Sequence, residues 1–175
     1  MSDALQAKGC PHGSAVLIQD WRCSGFILLK KIDPTPGSVF DGKYSLFGGR
    51  CRPGENSEQT LERELREEWQ DRTLIADVMR RAFAVKPMVL PAREWGGSYV
   101  FHPYVASATS EEHFKDWLTI LLEEGAVKEG RAVYLSRHQL LEEINSPEKF
   151  LAGLEMMIRR HFDLLMRSDQ RIRMI

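Results

Sequence analysis

The stretch from Leu61 to Trp69 limits what this chain can become more than any other. Leu61, Leu65 and Trp69 recur every four residues, and Glu64, Glu67 and Glu68 fall between them. At about 100° per residue, Glu64 and Glu68 share one helix line, with Glu67 beside it and the apolar residues in the neighbouring sector. Such a helix must lay one stripe on a core while presenting a carboxylate edge. Asn56 is the expected N-cap, with Gln59 three residues on as its reciprocal partner. Like charges at i and i+4 cost a helix a few tenths of a kcal/mol, roughly, and a dication bound between them relieves that repulsion. Hard cations such as Mg²⁺ take carboxylate oxygens together with waters and phosphates. Glu64, Glu67 and Glu68 supply those oxygens at a spacing that converges on one point, and Arg63 and Arg66 are placed to brace or screen them. Charge runs are ordinarily solvated faces; here the charges sit beside an apolar stripe and behind a glycine-rich approach. Gly48 and Gly49 let the backbone come close to a metal or phosphate, and Gly54 serves the turn into the helix.

The remaining pattern interleaves strands with helices. Ser14–Gln19 and Gly25–Lys30 read as strands separated by a turn near Asp20–Ser24, and Lys43–Phe47 as a short strand entering Gly48-Gly49. Asp33–Gly42, with two prolines and two glycines, reads as a loop. Ala82–Leu90 and Ser98–Ala106 read as strands, Glu111–Glu124 as a helix and Ala132–Leu135 as a last short strand before a polar helical turn. Pro147–Arg167 reads as one amphipathic helix with Phe150, Leu154, Met157, Ile158 and Leu165 among its apolar positions, fit for core packing or for a homodimer contact. The expected architecture is an α/β or α+β layered domain: a lead-in over residues 1–12, then a single domain over 13–175.

Composition narrows the function classes. With 43% hydrophobic and 28% charged residues, the chain is no candidate for intrinsic disorder. A net charge of −1 speaks against long nucleic acid as a partner but leaves room for a small nucleotide. Cys10, Cys23 and Cys51 are odd in number and irregular in spacing, which suits reduced thiols in a cytosol. Cys10-Pro11-His12 finds no second Cys/His pair at zinc-finger spacing. The N-terminus has no secretory pattern, and no apolar run approaches the roughly 18 residues of a membrane span. A cytoplasmic protein without a membrane partner is expected.

Taken together, the acidic helix and its loop resemble the Nudix hydrolase family. That family's box runs Gly, five residues, Glu, seven residues, then Arg-Glu-aliphatic-any-Glu-Glu-any-Gly-aliphatic. This chain reads Gly49, Glu55, then Arg63-Glu64-Leu65-Arg66-Glu67-Glu68-Trp69. It departs only at the last two positions, Gln70 and Asp71, which concern the helix exit. The resemblance implies an α/β/α sandwich with a mixed central sheet and a hydrolase that uses Mg²⁺, or Mn²⁺, to cleave a diphosphate linkage in a nucleoside diphosphate derivative. It implies that Glu64 and Glu68 are the principal metal ligands, that Glu67 assists, that the Gly48 carbonyl joins them, and that one helix glutamate orients or deprotonates the water. Gly49, Gly54, Glu55 and Arg63 take supporting roles, with Arg63 pairing Glu55 to hold the loop against the helix. Some members recruit a further Glu before a late core strand. Glu129 stands in such a place, with Glu123 and Glu124 as competitors and a solvated loop carboxylate as the plainer alternative for each.

The base or sugar must be held by residues outside the box. Arg50, Arg52 and Arg93 can meet phosphates; Trp95, Tyr99, Phe101 and Tyr104 can stack on a base, although such residues more often serve solvation and core packing respectively. ADP-ribose-cleaving members resemble one another in a Pro about sixteen residues past the box, and Pro87 stands sixteen after Asp71. That favours ADP-ribose or a nucleotide sugar; nucleoside triphosphates, oxidised ones included, are the alternative. Two other classes compete: a nucleotide-binding module of this fold without turnover, which would be expected to lack box glutamates, and a prenyl-diphosphate isomerase. The latter would need a reactive Cys paired with a Glu, and nothing beside Cys51 in sequence suggests that pair.

Overall fold

The computed structural model describes residues 11–91 and 97–162. Its sheet is built around a parallel pair, β1 (His12–Gln19) with β7 (Ser98–Ser107), in register from His12↔Val100 to Gln19↔Ser107. β1 turns into β2 (Gly25–Lys31) through a loop that Asp20 organises: its carboxylate accepts from the N–H of Arg22 and Ser24 and from the Ser24 hydroxyl. The two strands pair at Ile18↔Ile27 and Gln19↔Phe26 and then part. The hairpin of β3 (Tyr44–Ser45) and β4 (Phe47–Arg50) fills the wedge, β3 adding to β2 and β4 to β1. The diglycine therefore lies within β4 rather than after a strand. This splay carries Gly48 and Gly49 into the middle of the sheet.

The outer edges are antiparallel. β8 (Gly130–Ser136) pairs β2 over Gly25–Lys31. β5 (Ala82–Ala84) and β6 (Met88–Pro91) both pair β7, so the single strand expected over Ala82–Leu90 is two. Between Ala84↔Tyr104 and Met88↔Phe101, three residues face two. Pro87 and Pro103 each remove an amide donor there, so the ladder breaks into a bulge.

Alternation along β1 splits the core in two. Val16 and Ile18 join Leu61, Leu65 and Trp69 of α1 (Ser57–Glu68) with its exit, Leu74, Ile75 and Val78 of α2 (Arg72–Arg81), and Phe114, Trp117 and Leu121 of α3 (Glu111–Leu122). Ala15 and Leu17 join Leu140 of α4 (Arg137–Glu143) and Leu154, Met157, Ile158 and Phe162 of the helical residues 154–162. The mixed sheet with helices on both faces is the expected sandwich. Each fully buried Leu or Ile contributes about 2 kcal/mol by area, which fixes α1 firmly: Leu61 and Leu65 are wholly buried, and Trp69 meets the Phe47 ring edge-on at 5.0 Å.

Three expectations change. α2 was not foreseen: Asp71 caps it by accepting from the Leu74 N–H at 2.7 Å. α3 ends at Leu122, two residues early, with Glu123 as its C-cap. The helix expected over Pro147–Arg167 is instead two 3₁₀ turns, Pro147–Lys149 and Leu151–Gly153, followed by helical residues 154–162; Leu165 and Arg167 lie outside the described residues. Gly153 has φ +74, which interrupts the helix, and a Cβ there would stand 2.8 Å from Pro91 Cδ, so the break against β6 accepts only glycine. Among the described residues no helix is long and apolar enough to cross a membrane.

Candidate active site

Asn56 and Gln59 form the expected reciprocal cap, each side chain accepting from the other's backbone N–H at 2.9 and 3.0 Å. The turn ahead of it uses Gly54 at φ +86. Glu55 then accepts from the Arg52 N–H, the Thr60 hydroxyl, and Arg63 Nε and Nη2. The Arg63 bonds, and next the Arg52 amide, hold Glu55 down at about 2. Arg63 reaches further, to the Arg50 carbonyl at 2.9 Å, Glu64 Oε1 at 2.6 Å and Glu67 Oε2 at 3.0 Å. One guanidinium thus ties the end of β4, the loop and the helix together, as the pairing with Glu55 foretold. Arg66 does not join it; it pairs with Glu62 on the outer side.

Glu64 lies over the diglycine. A Cβ on Gly49 would come within 2.5 Å of the Glu64 carboxyl, and one on Gly48, at φ +142, within 2.2 Å of the Ser14 carbonyl. Glu68 is deeper still, its side chain 3% exposed. Burial pushes its carboxyl up to about 8; Lys31 opposes this, Glu129 and Glu64 add to it, and the Gly48 amide opposes it. Glu68 Oε2 is buried with no hydrogen-bond partner among the described residues. Leaving such an oxygen unmet costs about 1–3 kcal/mol or more. A hard dication is the partner whose chemistry matches it, with Glu64 next in reach, so the residues fit a metal of the Mg²⁺ type. Glu67 is placed differently: half exposed, it is engaged by Arg52 Nη2 at 2.9 Å and by Arg63. Among the described residues no three acidic, His or Cys side chains already stand close enough to hold an ion. Both Glu67 oxygens are thus held by arginines rather than turned toward Glu64 and Glu68.

Glu129 comes to the site from β8's leading loop and forms an ion pair with Lys31, whose Nζ is 3.9 Å from Glu68 Oε1. Glu123 and Glu124 stay exposed in the turn after α3. Lys31 was passed over because the strand was expected to stop at Lys30. Two-residue alternation places it on the face of Ile27 and Leu29, and that signal was available.

A cavity of ≈ 460 Å³ opens in the wedge between β1 and β2, lined by Gly13, Ala15, Lys31, Leu46, Gly48, Gly49, Arg50, Tyr99, Phe101, Leu151 and Leu154, among others. Tyr99 and Phe101 line it; Tyr104 does not, being buried on the α1 face with its hydroxyl 2.9 Å from Ser57 Oγ. Of the arginines, Arg50 lines the cavity, Arg52 is occupied by Glu67, and Arg93, like Trp95, lies outside the described residues.

Comparison with known proteins agrees with this arrangement. A NUDIX domain profile matches residues 11–153. The nucleoside triphosphatase NudI of Salmonella heidelberg (strain SL476) is 39% identical over 62 residues, which span 35% of this chain and 41% of that protein. The chain thus spans well under two thirds of that curated relative. A NUDIX hydrolase from Nitrosomonas europaea is similar in fold, with a TM-score of 0.55 at 16% identity over 89% of each chain. The NUDIX domain of Shewanella oneidensis NrtR, solved with ADP ribose, gives 0.53 at 16% identity over 94% of this chain and 90% of that one. The profile covers most of the residues that build the sheet, the acidic helix and the wedge, and the chain belongs to the NUDIX domain family.

Proposed function

We propose that this chain hydrolyses a diphosphate linkage in a small nucleotide-type substrate, with a divalent cation held by Glu64 and Glu68 and assisted by Glu67. The observation that carries this reading is the buried, unpartnered Oε2 of Glu68 beside Glu64, directly under the glycine approach of β4. When bound, Mg²⁺ or Mn²⁺ supplies charge neutralisation for phosphate and acidifies water. The chain's own residues do the rest. Arg63 fixes Glu55, Glu64 and Glu67 in one rigid frame. Gly48 and Gly49 let β4 pack closely against the Ser14–Ala15 backbone and the Glu64 carboxyl, which keeps Glu64 over the strand. Arg50 and Lys31 put positive charge where the cavity meets the glycine strand. Glu129 is the loop carboxylate best placed to take a proton from water.

The cavity supports a nucleotide-type substrate. Its apolar walls of Leu46, Leu151 and Leu154, with the Tyr99 and Phe101 rings, suit a planar base or sugar, and the diphosphate then falls toward Arg50 and Glu64. ADP-ribose or a nucleotide sugar is the first reading, on the position of Pro87. Nucleoside triphosphates are the second, favoured by the name of the Salmonella relative. A hydrolysis screen over ADP-ribose, nucleotide sugars, dinucleoside polyphosphates and nucleoside triphosphates, with Mg²⁺ or Mn²⁺, tests both. Turnover should disappear in EDTA and fall at least about a hundredfold in Glu68→Gln. Full activity in either case, or ligand-induced stabilisation without turnover of any compound, would sink the catalytic reading in favour of a sensor.

A further inference from the structure

Glu68 is buried and cannot hold a charge there without a counter-charge. Arg63 is committed to Glu55, Glu64 and Glu67. The cation that the structure brings to Glu68, among the described residues, is Lys31. Its side chain is 18% exposed, its Nζ stands 3.9 Å from Glu68 Oε1, and it forms an ion pair with Glu129 Oε2. Strand register produces this meeting. Lys31 is opposite Gly130, where a Cβ would come within 2.3 Å of the Lys30 carbonyl. Only a glycine lets β8 close on β2 at that point and bring Glu129 against the lysine. The ammonium thus bridges a buried carboxylate on α1 and an exposed one on the opposite loop. Lys31 also lines the wedge cavity beside Gly48, Gly49 and Arg50.

We propose that Lys31 is a built-in counter-cation for the metal edge: its ammonium holds Glu68 and Glu129 together, yields them when a divalent cation arrives, and swings to the substrate's phosphate in the cavity. This rests on reading Glu64 and Glu68 as metal ligands. An ammonium on a four-carbon stem is a mobile point charge, so it can serve carboxylates and then phosphate without moving the backbone. Lys31 and the dication compete for the same oxygens. Its presence therefore weakens metal binding in the resting protein, and it returns that cost as phosphate attraction when substrate binds. Lys31 is a positioning residue for the carboxylates and a contact for the substrate.

The competition has a sign that a merely structural lysine would not produce. Mn²⁺ binding to the full chain, followed at pH 8 by the free-ion electron paramagnetic resonance signal, reads it directly. Lys31→Met should bind Mn²⁺ about tenfold more tightly than the unaltered protein, because a unit positive charge has left the site. Lys31→Arg should stay near the original affinity, because the charge remains. Under turnover, Lys31→Met should raise KM for the phosphate substrate more than it lowers kcat. Circular dichroism confirms folding, and Lys31→Gln replaces Lys31→Met if the latter does not fold. Unchanged or weaker Mn²⁺ binding in Lys31→Met would overturn the proposal, as would equal tightening in Lys31→Arg. Failure of the unaltered protein to bind Mn²⁺ would remove the metal reading and this proposal together; binding without a change in Lys31→Met removes this proposal alone.

Discussion

Gly49 carries no side chain because Glu64 occupies the space one would need. The atoms that a Cβ would strike belong to the far end of a flexible side chain, so Gly49→Ala should be cheap for folding and costly for function. Glu64 swings away, the fold survives, and one carboxylate leaves the edge proposed to hold the cation. The expected outcome is a thermal midpoint within a few °C of the original, with kcat/KM reduced about ten- to a hundredfold. Thermal unfolding beside steady-state kinetics checks it, and an active Gly49→Ala would show that Glu64 is not needed where it stands. The glutamates of α1 were legible in the sequence because helical geometry converts spacing into direction, and Glu55 with Arg63 was legible from the family pattern. The demotion of Glu67 to a partner of Arg52 and Arg63 was not, since it depends on a loop folding back over the helix. Lys31 lay one residue beyond an apolar run, and its partners, Glu68 and Glu129, are distant in sequence; only the strand register joins them.

The two positions that depart from the family pattern acquire a meaning at the level of elements. Trp69, at the end of α1, forms an isolated bridge with Val127, and the Lys128 N–H donates to the Glu68 carbonyl at 3.0 Å. Gln70 extends the same docking: its side-chain amide donates to the Gly125 carbonyl at 2.8 Å. The loop that leads to Glu129 is therefore fastened to the exit of the acidic helix. Asp71, where the pattern has an aliphatic residue, opens α2. Sequence reading took it for a helix end because one short polar residue serves equally to stop one helix and to cap the next; the apolar stripe Leu74, Ile75 and Val78 was the unused signal. Asp71→Ala removes an N-cap and should destabilise the protein by about 1 kcal/mol, lowering the thermal midpoint by a few °C. Calorimetric or spectroscopic melting tests it, and no loss would mean that the packing of α2 alone holds its first turn. The broken strand β5–β6 and the broken C-terminal helix were illegible for a related reason. Each break also depends on a partner distant in sequence, Pro103 across from Pro87 for the strand and Pro91 against Gly153 for the helix, that periodicity along one segment does not reveal.

Across the whole molecule, two histidines, half-buried His102 and buried His161, hold opposite faces of the sheet and respond to acid in the same sense. On the α1 face, His102 Nε2 lies 3.2 Å from His12 Nδ1, and burial, then the neighbouring His12, depresses its pKa. On the other flank, His161 Nε2 meets Gln19 Oε1 at 2.9 Å, and Gln19 Nε2 donates to Ser107 Oγ, so the C-terminal helical residues are fastened to the ends of β1 and β7. Burial depresses the pKa of His161 as well. A histidine whose folded pKa is depressed binds its proton more readily when unfolded. The stability it contributes is present above the unfolded value of 6.5 and is lost as pH falls through the folded one. Glu68, held up at about 8, works in the opposite sense: its contribution is present at low pH and is lost as pH rises through about 8. The difference between a variant and the parent isolates the histidine. His161→Gln keeps a hydrogen-bonding group for Gln19 but cannot take up the proton. It should melt slightly below the parent at pH 7.5 and converge with it, or exceed it, as pH falls below about 6, a relative change of a few °C. Parallel curves across that range would show that His161 remains neutral on both sides of unfolding and that acid loosens the molecule elsewhere.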